Sequence, residues 1–196
     1  MKPADFIAAG FVDAVRQREL PYDVVLLEAT IPEVADGSAL RFLQDFLFSA
    51  AQAGECPAGL CGISLGGHLA LAGLARADTG ETAARAARHV EAACLLAPYL
   101  GPRDIVAEAA TNDGLRDWQA AEGVDDVDRQ IWQWLQSGQA AGRDLHLGYG
   151  SEDRFAPAHA LLGRVLPPQR VDVEPGAHDW PHGPASGPAT DRHGYA

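Results

Sequence analysis

Short apolar runs alternate with longer helical stretches along this 196-residue chain, and this alternation limits the possible folds more than any other feature. Five runs have the length and residue types of strands: residues 23–28, 58–63, 90–96, 145–149 and 170–174. The connections between them are long, and connections of that length force neighbouring strands to pair in parallel. We therefore predict an α/β fold: an open, mostly parallel sheet of about five strands with helices on both faces.

The helical stretches divide the chain into a body, an insertion and a tail. Helices are predicted over residues 4–19, 39–53, 65–77 and 156–166. Residues 101–142 lack a strand pattern and are helical in pieces, so we expect a small helical cap at the end of the sheet where ligands bind. Residues 181–196 are rich in Gly and Pro and are expected to be a disordered tail, which leaves residues 1–180 as one domain.

The composition excludes several classes of partner. Acidic residues outnumber basic ones by 27 to 15, giving a formal net charge of −12. Such a surface repels phosphate and anionic lipid, so we expect no binding to nucleic acid or membranes. The three cysteines fit no metal or redox motif, and no apolar run approaches the ~18 residues of a membrane helix. We expect a cytoplasmic protein without a metal or a cofactor; the sequence gives no sign of its oligomeric state.

Residues 62–66, Gly-Ile-Ser-Leu-Gly, match the pattern G-x-S-x-G. A strand is predicted to end at Ile63 and a helix to begin near Leu65, which is the setting that this pattern requires. The tight turn would hold the Ser64 hydroxyl at the carboxyl end of the sheet, and the flanking glycines would let the two elements approach closely. The Leu65 N–H is then placed to stabilise an oxyanion. The alternative is a glycine-rich turn with a solvated serine.

A serine hydroxyl needs a base to take its proton before it can attack a substrate. Of the seven histidines, His178 directly follows the last predicted strand and so emerges at the same end of the sheet as Ser64. It is the predicted base; the alternative is a loop histidine in solvent. His68 lies one helical turn after Ser64 and is expected to pack or to face water, and His159 lacks a strand-end position.

The base in turn needs an acid that accepts a hydrogen bond from its far nitrogen. Asp153 follows the strand at 145–149 and also lies at a carboxyl strand end, so it is the predicted acid. Glu152, its neighbour, and Asp104, after the preceding strand, remain as alternatives.

Four stretches resemble bacterial esterases of the α/β-hydrolase superfamily: residues 62–67, 97–101, 148–153 and 176–180. The order Ser64, Asp153, His178 is also the order of α/β-hydrolase triads. The resemblance implies a serine hydrolase that cleaves the carboxylic ester or thioester of a small acyl substrate through an acyl-enzyme, without a cofactor. It implies Ser64 as nucleophile, Asp153 as acid and His178 as base.

The same resemblance implies a first strand, whose loop gives a second oxyanion donor, and a final helix after the histidine. The sequence shows neither pattern, so we expect a member shortened at both ends. The alternative function is a catalytically weakened or inactive hydrolase-fold protein that binds a ligand or partner.

Two aromatic residues are the predicted substrate contacts: Tyr99 at a strand end and Trp132 in the cap. Trp132 and Trp134 lie two positions apart and cannot share one face of a helix, so at most one of them points into a pocket. The alternative for the cap tryptophans, including Trp118, is packing of the cap against the body.

Overall fold

The structure of the protein is a computed structural model, and it forms two units. One unit is Ile31–His178, and the described residues of the other lie within Met1–Thr30. The structure describes residues 2–20, 22–52, 59–79, 90, 92–111, 113–122 and 124–178. The predicted tail at 181–196 lies outside these residues.

The larger unit is built on a sheet whose described strands all run parallel. Its strands are β1 (Gly59–Ile63), β2 (Ala92–Leu96), β3 (Asp144–Gly150) and β4 (Val171–Glu174), and they lie in that order across the sheet. They correspond to four of the five predicted strands, with ends that agree within two residues. The predicted α/β class with a parallel sheet is thereby confirmed.

The fifth predicted strand, over residues 23–28, is wrong. Residues 22–30 are described without strand or helix, and Val24, Val25 and Leu27 are 41%, 56% and 41% exposed. A strand forms only where its backbone N–H and C=O groups pair with a neighbour, and no strand among the described residues pairs with this run. The apolar pattern did not predict the structure because strand formation depends on a partner elsewhere in the chain.

The smaller unit contains the N-terminal helical stretch. A single helix was predicted over residues 4–19, and the structure has two: α1 (Pro3–Ala8) and α2 (Phe11–Gln17). Gly10 separates them with a φ of +82°, a left-handed conformation that only glycine adopts readily and that ends the first helix.

The larger unit has helices next to its sheet, and those at 38–52, 65–79 and 156–163 agree with the predicted ones within three residues. The helices are α3 (Ile31–Ala35), α4 (Ser38–Gln52), α5 (Leu65–Thr79), α6 (Arg103–Ala109), α7 (Val127–Gln136) and α8 (Ala156–Gly163), with 3₁₀ turns at Gln139–Gly142 and Pro168–Arg170. The central helix is α5, which contacts β1, β2, α4 and α7. Because α6 and α7 lie within residues 101–142, that segment is helical in pieces, as predicted.

Burial alternates along the central strands of the sheet. Ala93, Leu95, Leu145 and Leu147 are buried and share one face by register, whereas Cys94 and the other residues of the opposite face are partly exposed. One face therefore forms the core of the unit. Among the residues that the structure describes, none of the helices has the length and hydrophobicity that crossing a membrane requires.

Candidate active site

Ser64 lies in the turn between β1 and α5 in a strained backbone conformation. Its φ is +52°, in the left-handed region, which costs a residue with a side chain about 1–2 kcal/mol. Three backbone hydrogen bonds hold it there. The Ser64 N–H donates to the Leu96 carbonyl at 3.0 Å, and the Ser64 carbonyl accepts from the N–H groups of His68 at 3.1 Å and Tyr99 at 3.0 Å. The end of β2 and the following loop therefore fix the turn.

Two glycines make this turn possible. A Cβ at Gly62 would lie under 3.0 Å from the backbone of Gly66 and Gly67, closer than real Cβ contacts come. A Cβ at Gly67 would lie 2.8 Å from the Cβ of Pro98. The space around Gly66 is open. Position 62 excludes a side chain because β1 and α5 approach closely there, and position 67 excludes one because α5 lies against Pro98.

The structure brings together the three side chains that the sequence predicted. His178, which follows β4, has its Nε2 3.1 Å from the Oγ of Ser64. Its Nδ1 lies 2.6 Å from the Oδ2 of Asp153. A carboxylate can only accept, so Nδ1 carries the proton and Nε2 is left to accept the serine proton. The acid in contact with the histidine is Asp153, not its neighbour Glu152 or Asp104.

The loops that carry the acid and the base are joined by their backbones. The Glu152 N–H donates to the Gly176 carbonyl at 2.8 Å. A Cβ at Gly150, the last residue of β3, would collide with that same carbonyl. The absence of a side chain at position 150 thus lets the loop of His178 pass next to the loop of Asp153.

Asp153 is buried, yet its surroundings favour the ionised form. Burial by itself opposes ionisation. The hydrogen bond from the Phe155 N–H to Oδ1, 2.8 Å long, and the contact with His178 outweigh this effect and hold the pKa of Asp153 below its ordinary value. The carboxylate is therefore charged at neutral pH and able to stabilise a protonated His178.

Phe155 and His159 lie next to the three side chains and were not among the predicted site residues. Phe155 packs edge-on against the His178 ring at 5.2 Å between centroids. His159, on α8, is completely buried and has its Nδ1 3.9 Å from the Oδ2 of Asp153. Both follow Asp153 within six residues, and the only sequence signal for them is that a helix begins directly after the acid.

The remaining predicted site residues have different surroundings. Leu65 is the first residue of α5, so its N–H lies at the positive end of that helix. Tyr99 is partly exposed, and its backbone contacts that of Ser64.

Trp132 is fully buried and donates its indole N–H to the Leu100 carbonyl at 3.0 Å, so it packs the cap and presents no surface to a substrate. Trp134 is buried too, with its indole N–H on Asp78.

A second polar pair lies one helical turn below Ser64. The Nδ1 of His68 is 3.7 Å from the Oδ1 of Asp128 at the start of α7, and within the described structure neither atom has a hydrogen-bond partner. Burial lowers the pKa of His68 to about 4. Burial also raises the pKa of Asp128 to about 6, and Asp126 adds to this effect. The half-buried Asp128 carboxylate therefore takes up a proton as the pH falls through about 6.

Neither a metal site nor a related protein identifies the chemistry. Among the described residues, no cluster of three or more His, Cys, Asp or Glu side chains could hold a metal ion. No family model, no curated protein and no solved structure matches this chain. The functional assignment therefore depends on the geometry of the site.

The close packing of the turn at Ser64 predicts different responses to alanine at Gly62 and Gly66. Gly62→Ala should lower the free energy of unfolding by about 3 kcal/mol or more, because the new Cβ overlaps backbone atoms that cannot move aside. That loss corresponds to roughly 6–12 °C in melting temperature. Gly66→Ala is the matched control and should be neutral or stabilising by up to about 1 kcal/mol, because alanine favours a helix. Thermal unfolding measures both, and equal melting temperatures would contradict the close approach.

The pKa of Asp128 predicts a pH-dependent gain in stability for Asp128→Asn. A raised pKa means that the folded state loses stability as the pH rises from about 4, the ordinary value, through about 6. Asparagine does not ionise, so the variant should gain about 1–2 kcal/mol over the wild type across that range and keep the gain above pH 6. Urea unfolding at several pH values measures this. Asp117→Asn, at an exposed site, controls for the change in net charge. A gain in the free energy of unfolding that did not depend on pH would contradict the raised pKa of Asp128.

Proposed function

We propose that this protein is a serine hydrolase that cleaves a carboxylic ester or thioester through an acyl-enzyme. One observation carries the proposal: the continuous chain from the Oγ of Ser64 to the Nε2 of His178 at 3.1 Å, and from its Nδ1 to Asp153 at 2.6 Å. Both distances are within hydrogen-bonding range, as proton transfer from the nucleophile requires.

The contacts support a two-step reaction. The Ser64 oxygen attacks the acyl carbon while its proton passes to the Nε2 of His178. Asp153 stays ionised, because its pKa is lowered, and stabilises the positive charge on His178. His178 then gives that proton to the leaving alcohol or thiol as the acyl–oxygen or acyl–sulfur bond breaks. A water molecule repeats the sequence on the acyl-enzyme, which releases the acid and restores Ser64.

The Leu65 N–H is our candidate for stabilising the oxyanion of the tetrahedral intermediate, aided by the positive end of α5. Removing such a donor typically lowers rates by ~10²–10³. Tyr99, whose N–H binds the Ser64 carbonyl, is the candidate contact for the substrate. The proposal retains the expectations of helices on both faces of the sheet and of a cytoplasmic location.

The strained backbone of Ser64 favours this enzyme over an inactive binding protein of the same fold. A φ of +52° is unfavourable for serine, and a glycine would relieve the strain. Strain of this kind clusters at functional sites, where it holds a side chain in one position. A protein that did not use the hydroxyl would be more stable with glycine there.

A fluorophosphonate probe tests the proposal, because it reacts covalently only with an activated serine. We expect one label per wild-type chain, none in Ser64→Ala, and labelling at least about 100-fold slower in His178→Ala, which lacks the base. Ser137→Ala, at the end of α7, is the matched serine control and should label as the wild type does. Labels are counted by intact-protein mass. A folded wild type that stays unlabelled would favour the inactive binding protein.

A further inference from the structure

A second imidazole lies against the predicted acid. His159 and the side chain of Asp153 are both completely buried, and the His159 Nδ1 is 3.9 Å from the Oδ2 of Asp153. This is the same oxygen that the Nδ1 of His178 contacts at 2.6 Å. Two histidines thus approach one buried carboxylate oxygen, and only one of them has a role in the reaction described above.

The other ring nitrogen of His159 determines which protons are available. Its Nε2 lies 3.0 Å from the carbonyl oxygen of Pro98. A carbonyl can only accept, so in the neutral ring Nε2 carries the single proton and Nδ1 has none to donate. Burial lowers the pKa of His159, which favours the neutral ring. The Oδ2 of Asp153 is therefore left to accept the proton of His178.

The contact with Pro98 extends from the acid back to the nucleophile. Pro98 precedes Tyr99, whose N–H donates to the Ser64 carbonyl at 3.0 Å. Asp153 is bonded to the start of α8 by the N–H groups of Phe155 and Ala156. Through α8, His159 and the Pro98–Tyr99 backbone, a second path therefore joins acid and nucleophile. Together with the path through His178, it closes a ring of contacts around the site.

We propose that His159 is a positioning residue: it ties α8, the helix that begins three residues after Asp153, to the loop that fixes Ser64, and so keeps acid and nucleophile aligned. The proposal rests on the proposed hydrolase function. The His159 ring lies next to Asp153, the Pro98 carbonyl and the ring of Tyr149, whose centroid is 5.1 Å away.

The buried Nδ1 argues against a role in packing alone. Within the described structure it has no hydrogen-bond partner, and a buried polar atom without one costs about 1–3 kcal/mol. Leucine or phenylalanine would fill the site without that cost. What an apolar side chain lacks is the N–H that binds the Pro98 carbonyl.

Three variants separate positioning from packing. His159→Gln places an amide N–H near the position of Nε2 and retains the bond to Pro98. His159→Asn is too short to reach that carbonyl, and His159→Leu removes every polar contact. With a p-nitrophenyl ester, we expect kcat per labelled active site to fall about 10–100-fold in the Asn and Leu variants at unchanged KM. The Gln variant should stay within about threefold of the wild type.

Counting active sites with the fluorophosphonate probe removes the contribution of misfolded protein. If the His159→Leu and His159→Asn variants lower only the melting temperature or the labelled fraction, kcat per labelled site should stay within twofold of the wild-type value. In that case His159 has a packing role and the proposal is wrong. Equal losses of kcat in Gln and Asn would also overturn it, because the bond to Pro98 would then have no effect. If the Leu variant does not fold, the Gln and Asn pair decides the question.

A proton NMR measurement separates this proposal from the function on which it rests. The His178 Nδ1–H, hydrogen-bonded to Asp153, should give a downfield signal that is absent in His178→Ala. We expect the signal to persist in His159→Gln and to shift or broaden in His159→Asn, whether or not the wild type hydrolyses any ester. An unchanged signal in His159→Asn would refute the positioning role, whereas an inactive wild type would refute only the hydrolase.

Discussion

The hydrogen bond from the Tyr99 N–H to the Ser64 carbonyl connects the turn that carries Ser64 to the loop that follows β2. That loop is itself held at several points. His159 binds the Pro98 carbonyl, Trp132 binds the Leu100 carbonyl, and the ring of His68 packs against that of Tyr99, with 5.5 Å between centroids. These rings come from α8, α7 and α5. Two carbonyls of the loop are thus bound by buried aromatic N–H donors from two different helices.

Such anchoring explains how the strain at Ser64 persists. Two residues with side chains near this loop have positive φ, Ser64 at +52° and Ala97 at +44°. Each costs about 1–2 kcal/mol and would relax if its surroundings allowed it. The Ser64 N–H is bound by Leu96, and the Ala97 N–H by Gly148 at 2.8 Å, so either relaxation would break a bond between neighbouring strands. The sheet and the loop together prevent it.

How much of this could be predicted depends on whether a feature is local in sequence. Ser64, Asp153 and His178 were found because each directly follows a predicted strand, and parallel strands end at one edge of a sheet. The strand at 23–28 was predicted wrongly because its formation requires a partner that local pattern does not reveal. Local pattern also does not tell whether Trp132 lines a pocket or packs in a core, because an indole in a helical segment suits both. Its hydrogen bond to the Leu100 carbonyl shows that it packs in the core.

His159 shows why a rule based on strand ends finds Ser64, Asp153 and His178 but not the residue that we propose positions them. The rule identifies side chains at the edge of the sheet, whereas His159 lies within α8 and reaches the site only because that helix begins three residues after Asp153. Its partner at Pro98 is 61 positions away and offers a backbone carbonyl, a group that every residue has. The identity of the accepting residue therefore does not reveal such a contact in the sequence. The side chains that meet at the edge of the sheet can therefore be predicted from sequence, whereas a residue that we propose aligns them becomes visible only once the backbone is placed.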